Sequence, residues 1–160
     1  PIEDIETHLP LRVLRYELRE DVAGPGKWRG GLGSVREFAF LSDGGASVEG
    51  EGHRYRPWGF LGGGEGMPAK LDLVTAAGSR ALPSKVPHMN IAKDGRFICY
   101  GPAGGGYGNP LERDTRRVAD DVLDGVITIE TALRDYGVVV SAKGLVDDAA
   151  TDKERGSRPK

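Results

Sequence analysis

The chain has 160 residues, a length that fits one domain, and its formal net charge is -2. Its 22 basic and 24 acidic residues give no excess of charge that would attract nucleic acid or an anionic membrane. No apolar run approaches the length of a membrane span, and the acidic N-terminus lacks the regions of a signal peptide. We therefore expect a cytoplasmic protein with no nucleic-acid or membrane partner.

Glycine and proline are abundant, with 25 and 10 residues, while only 38% of the chain is hydrophobic. Ordering so much flexible backbone costs conformational entropy that a small apolar core offsets poorly. We therefore expect the chain to fold against partner subunits. Pro1 suits the position after a removed initiator methionine, so we expect a complete small subunit, although a fragment of a longer subunit would look the same.

Alternating apolar and polar residues predict a series of strands in the first two-thirds of the chain. The segments with this pattern are LRVLRYELRED, SVREFAFL, AKLDLVT and the two halves of KVPHMNIAKDGRFICYG. Asp94 and Gly95, between those halves, suit a type I′ turn because both accept positive φ angles. SDGGAS is predicted to form another hairpin turn, and GPGKWRGGLG a glycine loop.

The pattern changes to helical spacing near the C-terminus. Asn109 is predicted to cap a helix that begins at Pro110 and ends at Gly125. Thr128 is predicted to cap a second, shorter helix that ends at Gly137.

These elements predict an α+β fold: a β-rich body of antiparallel or mixed strands with two C-terminal helices and long glycine-rich loops. Residues 138–140 are predicted to form a last short strand. Residues 1–146 are predicted to make up the domain, and residues 147–160 a polar, frayed tail.

Gly104, Gly105 and Gly106 raise the question of a phosphate-binding loop, because they lie between a predicted strand and a predicted helix. Asn-Pro, however, stands where that motif has Lys followed by Ser or Thr, and the pattern G-x-G-x-x-G is not met. The interpretation we prefer is that the glycines let the backbone pack closely against another surface. The following helix N-terminus facing an anion is the alternative.

Lys27, Trp28 and Arg29 combine two cations with an aromatic ring, as do sites for single-stranded nucleic acid. One such triplet in an acidic chain does not make a site by itself. We expect a tight glycine loop in which Trp28 is a packed anchor and the flanking charges are solvated.

The sequence assigns no catalytic residue. The three histidines lack the spacing of metal ligands, so no metal site is predicted in this chain. His53, Arg54 and Arg56, in a charged segment, are the candidates for a catalytic or ligand role, with a hydrogen-bonded interface histidine as the alternative. Cys99, the only cysteine, lies in an apolar strand and is expected to be a buried, inert thiol.

Three blocks of the sequence, in order, resemble the hydantoinase B/oxoprolinase family. They are LRVLRYELREDVAGPGKWRGGLGSVREFAFL, HRYRPWGFLGGGEGMP and GPAGGGYGNPLERDTRRVADDVLDGVITIETALRDYGVVV. The likeness runs from about Leu11 to Val140 and resembles only the C-terminal portion of the family's much longer members.

The resemblance implies a hetero-oligomeric, ATP-dependent complex with larger hydantoinase A-like and hydantoinase B-like subunits. It implies that ATP is bound by a partner subunit rather than by this chain, and that any divalent metal also lies in a partner. No catalytic residue is carried over, because this chain does not resemble the part of the family that holds the metal ligands. The residues expected in interface or pocket loops are Lys27, Trp28, Arg29, Trp58, Gly104, Gly105, Gly106 and Tyr107.

Three functional hypotheses remain open. The first is a mainly structural subunit of an ATP-dependent carboxylase that acts on a ketone, of the acetone or acetophenone carboxylase type; a cyclic amidase that opens a lactam or hydantoin ring is its alternative. In the second, His53, Arg54 and Arg56 shape a catalytic pocket near a phosphorylated or carboxylated intermediate. The third is an independent module that binds an anionic ligand or nucleic acid through the Lys-Trp-Arg triplet.

Overall fold

The computed structural model describes residues 1–158, and within it the chain forms two compact units. The first unit comprises residues 1–18, 34–55 and 68–102; the second comprises residues 19–33, 56–67 and 103 onward. The predicted α+β class is confirmed, and the predicted domain of residues 1–146 spans parts of both units. In residues 1–158, no helix combines the length and the apolar character needed to cross a membrane.

The first unit consists of one short helix and two antiparallel sheets. Its elements are α1 (Ile2–His8), β1 (Leu11–Leu18), β2 (Ser34–Phe40), β3 (Gly44–Glu49), β4 (Lys70–Thr75), β5 (Gly78–Ala81), β6 (Lys85–Ile91) and β7 (Arg96–Tyr100). One sheet has the strand order β1-β2-β7-β4-β5, and the other pairs β3 with β6. The predicted SDGGAS hairpin is therefore wrong, because β2 and β3 on either side of it belong to different sheets.

The core of the first unit lies on the inward faces of these strands. Phe40 packs edge-on against Phe97, with ring centroids 6.1 Å apart. The turn from β6 to β7 is where the sequence placed it, but the predicted type I′ geometry is wrong, because Asp94 has a φ of +67° whereas Gly95 does not have a positive φ. The buried members of the cluster are Phe40, Leu71, Leu73, Leu82, Val86, Ile91 and Phe97.

In strand β1 the more apolar of the two faces is exposed to solvent, whereas the composition of the strand predicts that this face is buried. Leu14, Tyr16 and Leu18 are half or more exposed, whereas Val13 and Arg15 on the opposite face are partly buried. The pairing register with β2 shifts between Val13 and Arg15, which marks a bulge. The predicted half-buried strand therefore exists, with its apolar side outward.

The second unit is built from loops and three helices. The helices are α2 (Thr115–Leu123), α3 (Ile129–Tyr136) and α4 (Asp148–Gly156), and a short 3-10 turn covers Pro110–Glu112. The Asn109 side chain accepts a hydrogen bond from the Leu111 amide and so caps only the 3-10 turn. Asp114, which accepts from the amides of Arg116 and Arg117, caps α2, so the predicted single helix from Pro110 is wrong.

The second predicted helix is confirmed at both ends. The Thr128 hydroxyl accepts from the Thr131 amide, and Gly137 adopts a left-handed conformation with φ +62°. Residues 138–140, predicted as a strand, make only a single bridge between Val140 and Val146. The core around these helices consists of Val118, Ala119, Ile127, Ala132, Tyr136, Val138 and Val140.

The C-terminal segment is helical where a frayed tail was expected. Asp147 caps α4 by accepting from the Ala150 amide. Arg155 donates to the carbonyl oxygens of Tyr136 and Arg113, and Arg158 donates to two carbonyls at the end of α3. Long polar side chains therefore attach the segment to the unit, although its composition offers little apolar surface. Residues 159 and 160 of the predicted tail lie outside the described residues.

Candidate functional site

Three glycine-rich loops of the second unit pack directly against one another. They are residues 24–31, 59–66 and 103–108, here called the first, second and third glycine loops. The Gly24 amide donates to the Gly104 carbonyl (2.9 Å), and the Gly64 amide donates to the Pro25 carbonyl (2.7 Å). The Gly106 amide in turn donates to the Gly64 carbonyl (2.9 Å). Each loop is thus hydrogen-bonded to the other two.

The loops approach so closely that side chains are excluded at many positions. A Cβ added at Gly30 would overlap the Gly104 carbonyl, and one at Gly106 would overlap the Pro25 carbonyl. A Cβ at Gly105 would overlap the Trp58 carbonyl. The exception in the first loop is Gly31, where a Cβ would meet nothing within 4 Å. Glycine is therefore required for backbone packing inside this unit.

Two amides of the Gly104–Gly106 run, those of Gly104 and Gly106, donate to backbone carbonyls. Gly104 donates to the Gly31 carbonyl (2.8 Å), and Gly106 donates to the Gly64 carbonyl. A phosphate cradle needs converging amides that are free to bind the ligand. Close backbone packing therefore accounts for the three glycines, as preferred from the sequence.

An aromatic surface lies over the glycine loops. Trp28 and Tyr107 form an antiparallel bridge, and Phe60 and Tyr107 form a parallel one. Bridged residues project to the same side of a ribbon, so these three rings stand in a row with Tyr107 in the middle. The Phe60 and Tyr107 rings have centroids 5.9 Å apart. With their neighbours Trp58 and Leu61, which are also exposed, these residues form what we call the aromatic surface.

The Lys27-Trp28-Arg29 triplet is arranged in a way that the sequence did not indicate. The prediction of a packed Trp28 between solvated charges is wrong for Trp28, which is 53% exposed, and for Arg29, whose side chain is only 20% exposed. Lys27 is exposed as predicted. Lys27 pairs with Glu112 at 3.1 Å. Arg29 donates from Nε and Nη2 to the two carboxylate oxygens of Asp121, at 3.1 and 3.2 Å.

Asp121 holds a second arginine as well. Arg113 Nη2 donates to Asp121 Oδ2 at 2.9 Å, and both side chains are nine-tenths or more buried. One carboxylate thus binds two guanidinium groups, which leaves the cluster with a net charge of +1, and it joins the first glycine loop to α2. Sequence reasoning missed this cluster, although a signal existed: Asp121 stands at i+3 from the buried Val118, on the inner face of the predicted helix.

His53 lines a cavity of about 280 Å³ in the first unit, together with Lys70, Cys99 and Tyr100. Its Nδ1 lies 3.2 Å from the Glu51 carbonyl oxygen. Burial raises the pKa of the Cys99 thiol, and the hydrogen bond to Asp72 raises the pKa of Lys70. Both groups therefore stay protonated at neutral pH, so neither is an activated nucleophile.

The other two candidate residues both lie at the surface. Arg54 is exposed, and its guanidinium lies 5.2 Å from the centroid of the Tyr55 ring. Arg56 is also exposed and belongs to the second unit, whereas His53 and Arg54 belong to the first. A catalytic role for these three residues stays a prediction.

The first unit also contains an apolar cavity of about 470 Å³, which the sequence did not reveal. Its walls include Leu11, Phe40, Val48, Phe97 and Cys99. Such a cavity offers few polar groups that would orient a substrate. Among residues 1–158, no three His, Cys, Asp or Glu side chains are grouped so that they would hold a metal ion.

Comparison with known proteins relates the whole chain to one family. The hydantoinase B/oxoprolinase family model matches residues 1–110. The B-type subunit of a putative D-/L-hydantoinase from Pseudomonas sp. (strain NS671) is 49% identical over 97% of the chain. The acetophenone carboxylase delta subunit of Aromatoleum aromaticum is 28% identical over 85% of it.

A solved structure shares the fold. The ATP-dependent caprolactamase of Pseudomonas jessenii superposes on 98% of the chain with a TM-score of 0.84 and 30% sequence identity. The chain spans only about a quarter of these proteins: 26% of the hydantoinase polypeptide, 25% of the carboxylase polypeptide and 28% of the caprolactamase chain. The resemblance seen in the three sequence blocks is confirmed, and the chain belongs to the hydantoinase B/oxoprolinase family.

Proposed function

We propose that this chain is a non-catalytic part of an ATP-dependent enzyme complex that hydrolyses a cyclic amide, a hydantoin or lactam ring. The observation that carries the proposal is 49% identity to the hydantoinase polypeptide of Pseudomonas sp. over nearly the whole chain. The caprolactamase likeness, at 30% identity and TM-score 0.84, supports the same substrate class. ATP hydrolysis supplies the free energy for the reaction.

The role assigned to this chain is to hold a preformed surface for the assembled enzyme. The amides of Gly104 and Gly106 donate to backbone carbonyls, and the Cys99 thiol and Lys70 amine stay protonated. Nucleotide binding and catalysis are therefore assigned to the larger partners, a hydantoinase A-type polypeptide for ATP and a hydantoinase B-type polypeptide for the reacting ring. Any divalent metal is assigned to those partners as well.

A ketone carboxylase is the second candidate function. The likeness to the acetophenone carboxylase delta subunit, 28% identical over 85% of the chain, favours it. The sequence blocks alone favour this function. It ranks second because the relatives named for cyclic amides share more identity with the chain.

The test is a substrate panel on the complex purified through a tag on this chain. Hydantoin, ε-caprolactam and 5-oxoproline are each supplied with Mg-ATP, and acetone and acetophenone are supplied with Mg-ATP and bicarbonate. We expect ADP release that depends on one of the cyclic amides, with the ring-opened acid as product. ADP release that depends only on a ketone and bicarbonate would select the carboxylase instead. A tagged chain that recruits no large partner and supports no turnover would refute both.

A further inference from the structure

The aromatic surface is unusually exposed for a soluble chain. Trp28 is 53% exposed, Trp58 78%, Phe60 60%, Leu61 63% and Tyr107 48%. With roughly 150–250 Å² for each aromatic side chain, the exposed part amounts to a patch on the order of 500 Å². Patches of that size are at the upper end for isolated monomers and mark interaction sites.

The surface is held in place by the glycine loops rather than by a core beneath it. The Trp28 and Tyr107 amides donate to each other's carbonyls, at 3.0 and 2.9 Å. The Phe60 amide donates to the Gly106 carbonyl, and the Gly108 amide donates to the Phe60 carbonyl, both at 2.9 Å. Rings carried on a hydrogen-bonded ribbon are preorganised, so little ordering entropy is lost when a partner covers them.

Leu61 adds an independent observation, because its backbone conformation is unfavourable for a leucine. Phe60 to Gly63 form a tight turn closed by a hydrogen bond from the Gly63 amide to the Phe60 carbonyl (3.1 Å). Its two central residues, Leu61 and Gly62, have φ angles of +50° and +91°, as in a type I′ turn. Asn-Gly is the preferred pair at these two positions. Leu61 therefore makes the turn less stable than asparagine would, and its apolar side chain is exposed to solvent.

The charges beside the surface do not favour nucleic acid as the occupant. Lys27 is paired with Glu112, and Arg29 is paired with Asp121, so both cations that flank Trp28 in the sequence are held in ion pairs within the chain. Phosphate backbones are bound by cations that are free to release counterions. Arg117, with its guanidinium 5.3 Å from the Trp28 ring, extends the polar rim that borders protein interfaces.

We propose that the aromatic surface docks onto a hydantoinase B-type polypeptide. The docking site lies in the part of that polypeptide that this chain does not resemble, which is roughly three-quarters of the relatives' length. The inference rests on the proposed function. In the relatives, the segment equivalent to this chain makes up 25–28% of the polypeptide and is connected to that larger portion. Strongly apolar interfaces are typical of permanent contacts of this kind. The patch would form the centre of an interface of about 800 Å² per side.

The test places a photoreactive residue in the surface. Trp58→p-benzoylphenylalanine is made in the tagged chain, which is produced together with the hydantoinase A- and B-type polypeptides of its own organism. The complex is irradiated, and cross-linked peptides are identified by mass spectrometry. Tyr55, 72% exposed but in the first unit, receives the same replacement as the matched control.

We expect cross-links from position 58 to hydantoinase B-type sequence outside the portion that this chain resembles, and few or none from position 55. Cross-links only to an A-type polypeptide, only to a second copy of this chain, or to nothing would overturn the inference. If the complex still turns over in those cases, the proposed function survives. If no complex forms, both fail together.

Leu61→Asn separates docking from folding. Asparagine suits the first central position of a type I′ turn, so the thermal midpoint of the isolated chain is expected to stay equal or rise. The loss of one buried leucine from the interface is expected to make the labelled chain leave the complex about tenfold faster. An unchanged dissociation rate with a folded variant would contradict the inference.

Discussion

Asp121 is the residue on which the electrostatics of the second unit depend. Its carboxylate is shared by Arg29 and Arg113, and the three side chains are at most 20% exposed. Buried charges that lose their partner are costly, because the remaining ions can be neither solvated nor paired.

We predict that Asp121→Asn lowers the free energy of unfolding by about 3 kcal/mol, because two guanidinium groups lose their counterion. Asp120→Asn is the matched control, since Asp120 is the preceding residue of α2 and is exposed; its effect should stay within about 0.5 kcal/mol. Urea unfolding monitored by circular dichroism measures both. Equal effects of the two substitutions would contradict a special role for Asp121.

Tyr136 links stability to alkaline pH. It is almost completely buried, and burial raises its pKa to about 12 from the ordinary value near 10. Below pH 10 the phenol is neutral in both the folded and the unfolded chain. As the pH rises from about 10 to about 12, the unfolded chain ionises first, so stability is progressively lost.

We predict that the wild-type chain loses up to about 2.5 kcal/mol more stability over that pH range than Tyr136→Phe does. The comparison cancels the contribution of the other titrating groups, which the two chains share. Urea unfolding at intervals from pH 9 to pH 11.5 gives the two curves. Parallel curves would show that the Tyr136 phenol ionises alike in the folded and unfolded chains.

The conformations of single residues were predictable where the neighbouring sequence alone determines them. Thr128 and Gly137 bracket α3 as the helix-capping rules require, and Asp94 takes a left-handed conformation in its turn, although Gly95 does not share it. The exposure of Trp28 and the pairing of Arg29 were not predictable. They depend on Tyr107 and Asp121, which are about 80 and 92 residues away in the chain.

At the scale of elements, the three glycine loops pack backbone directly against backbone, beside the helical core of the second unit. This arrangement requires glycine only where two backbones touch. Gly30 and Gly31, adjacent in the first loop, differ sharply in this respect: a Cβ at Gly30 would overlap the Gly104 carbonyl, and one at Gly31 would meet open space.

We predict that Gly30→Ala lowers the free energy of unfolding by more than about 2 kcal/mol, because backbone must shift to admit the methyl group. Gly31→Ala is expected to be neutral or to stabilise by up to about 1 kcal/mol, since alanine restricts the unfolded chain. Chemical unfolding of both variants tests the difference. A harmless Gly30→Ala would contradict the packing of the loops.

The elements that sequence patterns predicted well are those with strict alternation or clear caps, such as β2 (Ser34–Phe40) and α3. The patterns did not predict helix α4, which is attached by arginine-to-carbonyl hydrogen bonds rather than by an apolar stripe. Nor did they predict that β2 and β3 pair with different strands, because Ser42 to Gly45 have the composition of a tight turn.

At the scale of the whole molecule, composition was only a partial guide. The glycine content suggested a chain that needs partners in order to fold, yet each unit has a core of seven buried residues of its own. The need for partners stays a prediction, and it now concerns activity and the covering of the aromatic surface. The family was predictable because its glycine blocks are constrained by backbone packing.

The substrate was not predictable from this sequence for a physical reason. The features that identify the family include loop packing and an exposed aromatic surface, and such features are compatible with both cyclic amidases and ketone carboxylases. Groups that distinguish a ring amide from a ketone must touch the reacting atoms. No residue of this chain is assigned to that contact.

The central claim is that this chain completes an ATP-dependent enzyme without itself supplying the reactive groups. The most direct measurement is ADP release and ring-opened product, assayed side by side for the purified chain and for the complex that contains it, with Mg-ATP and each cyclic amide. We predict no turnover above background from the chain alone and substrate-dependent turnover from the complex. Turnover by the purified chain at a rate comparable to that of the complex would contradict the account.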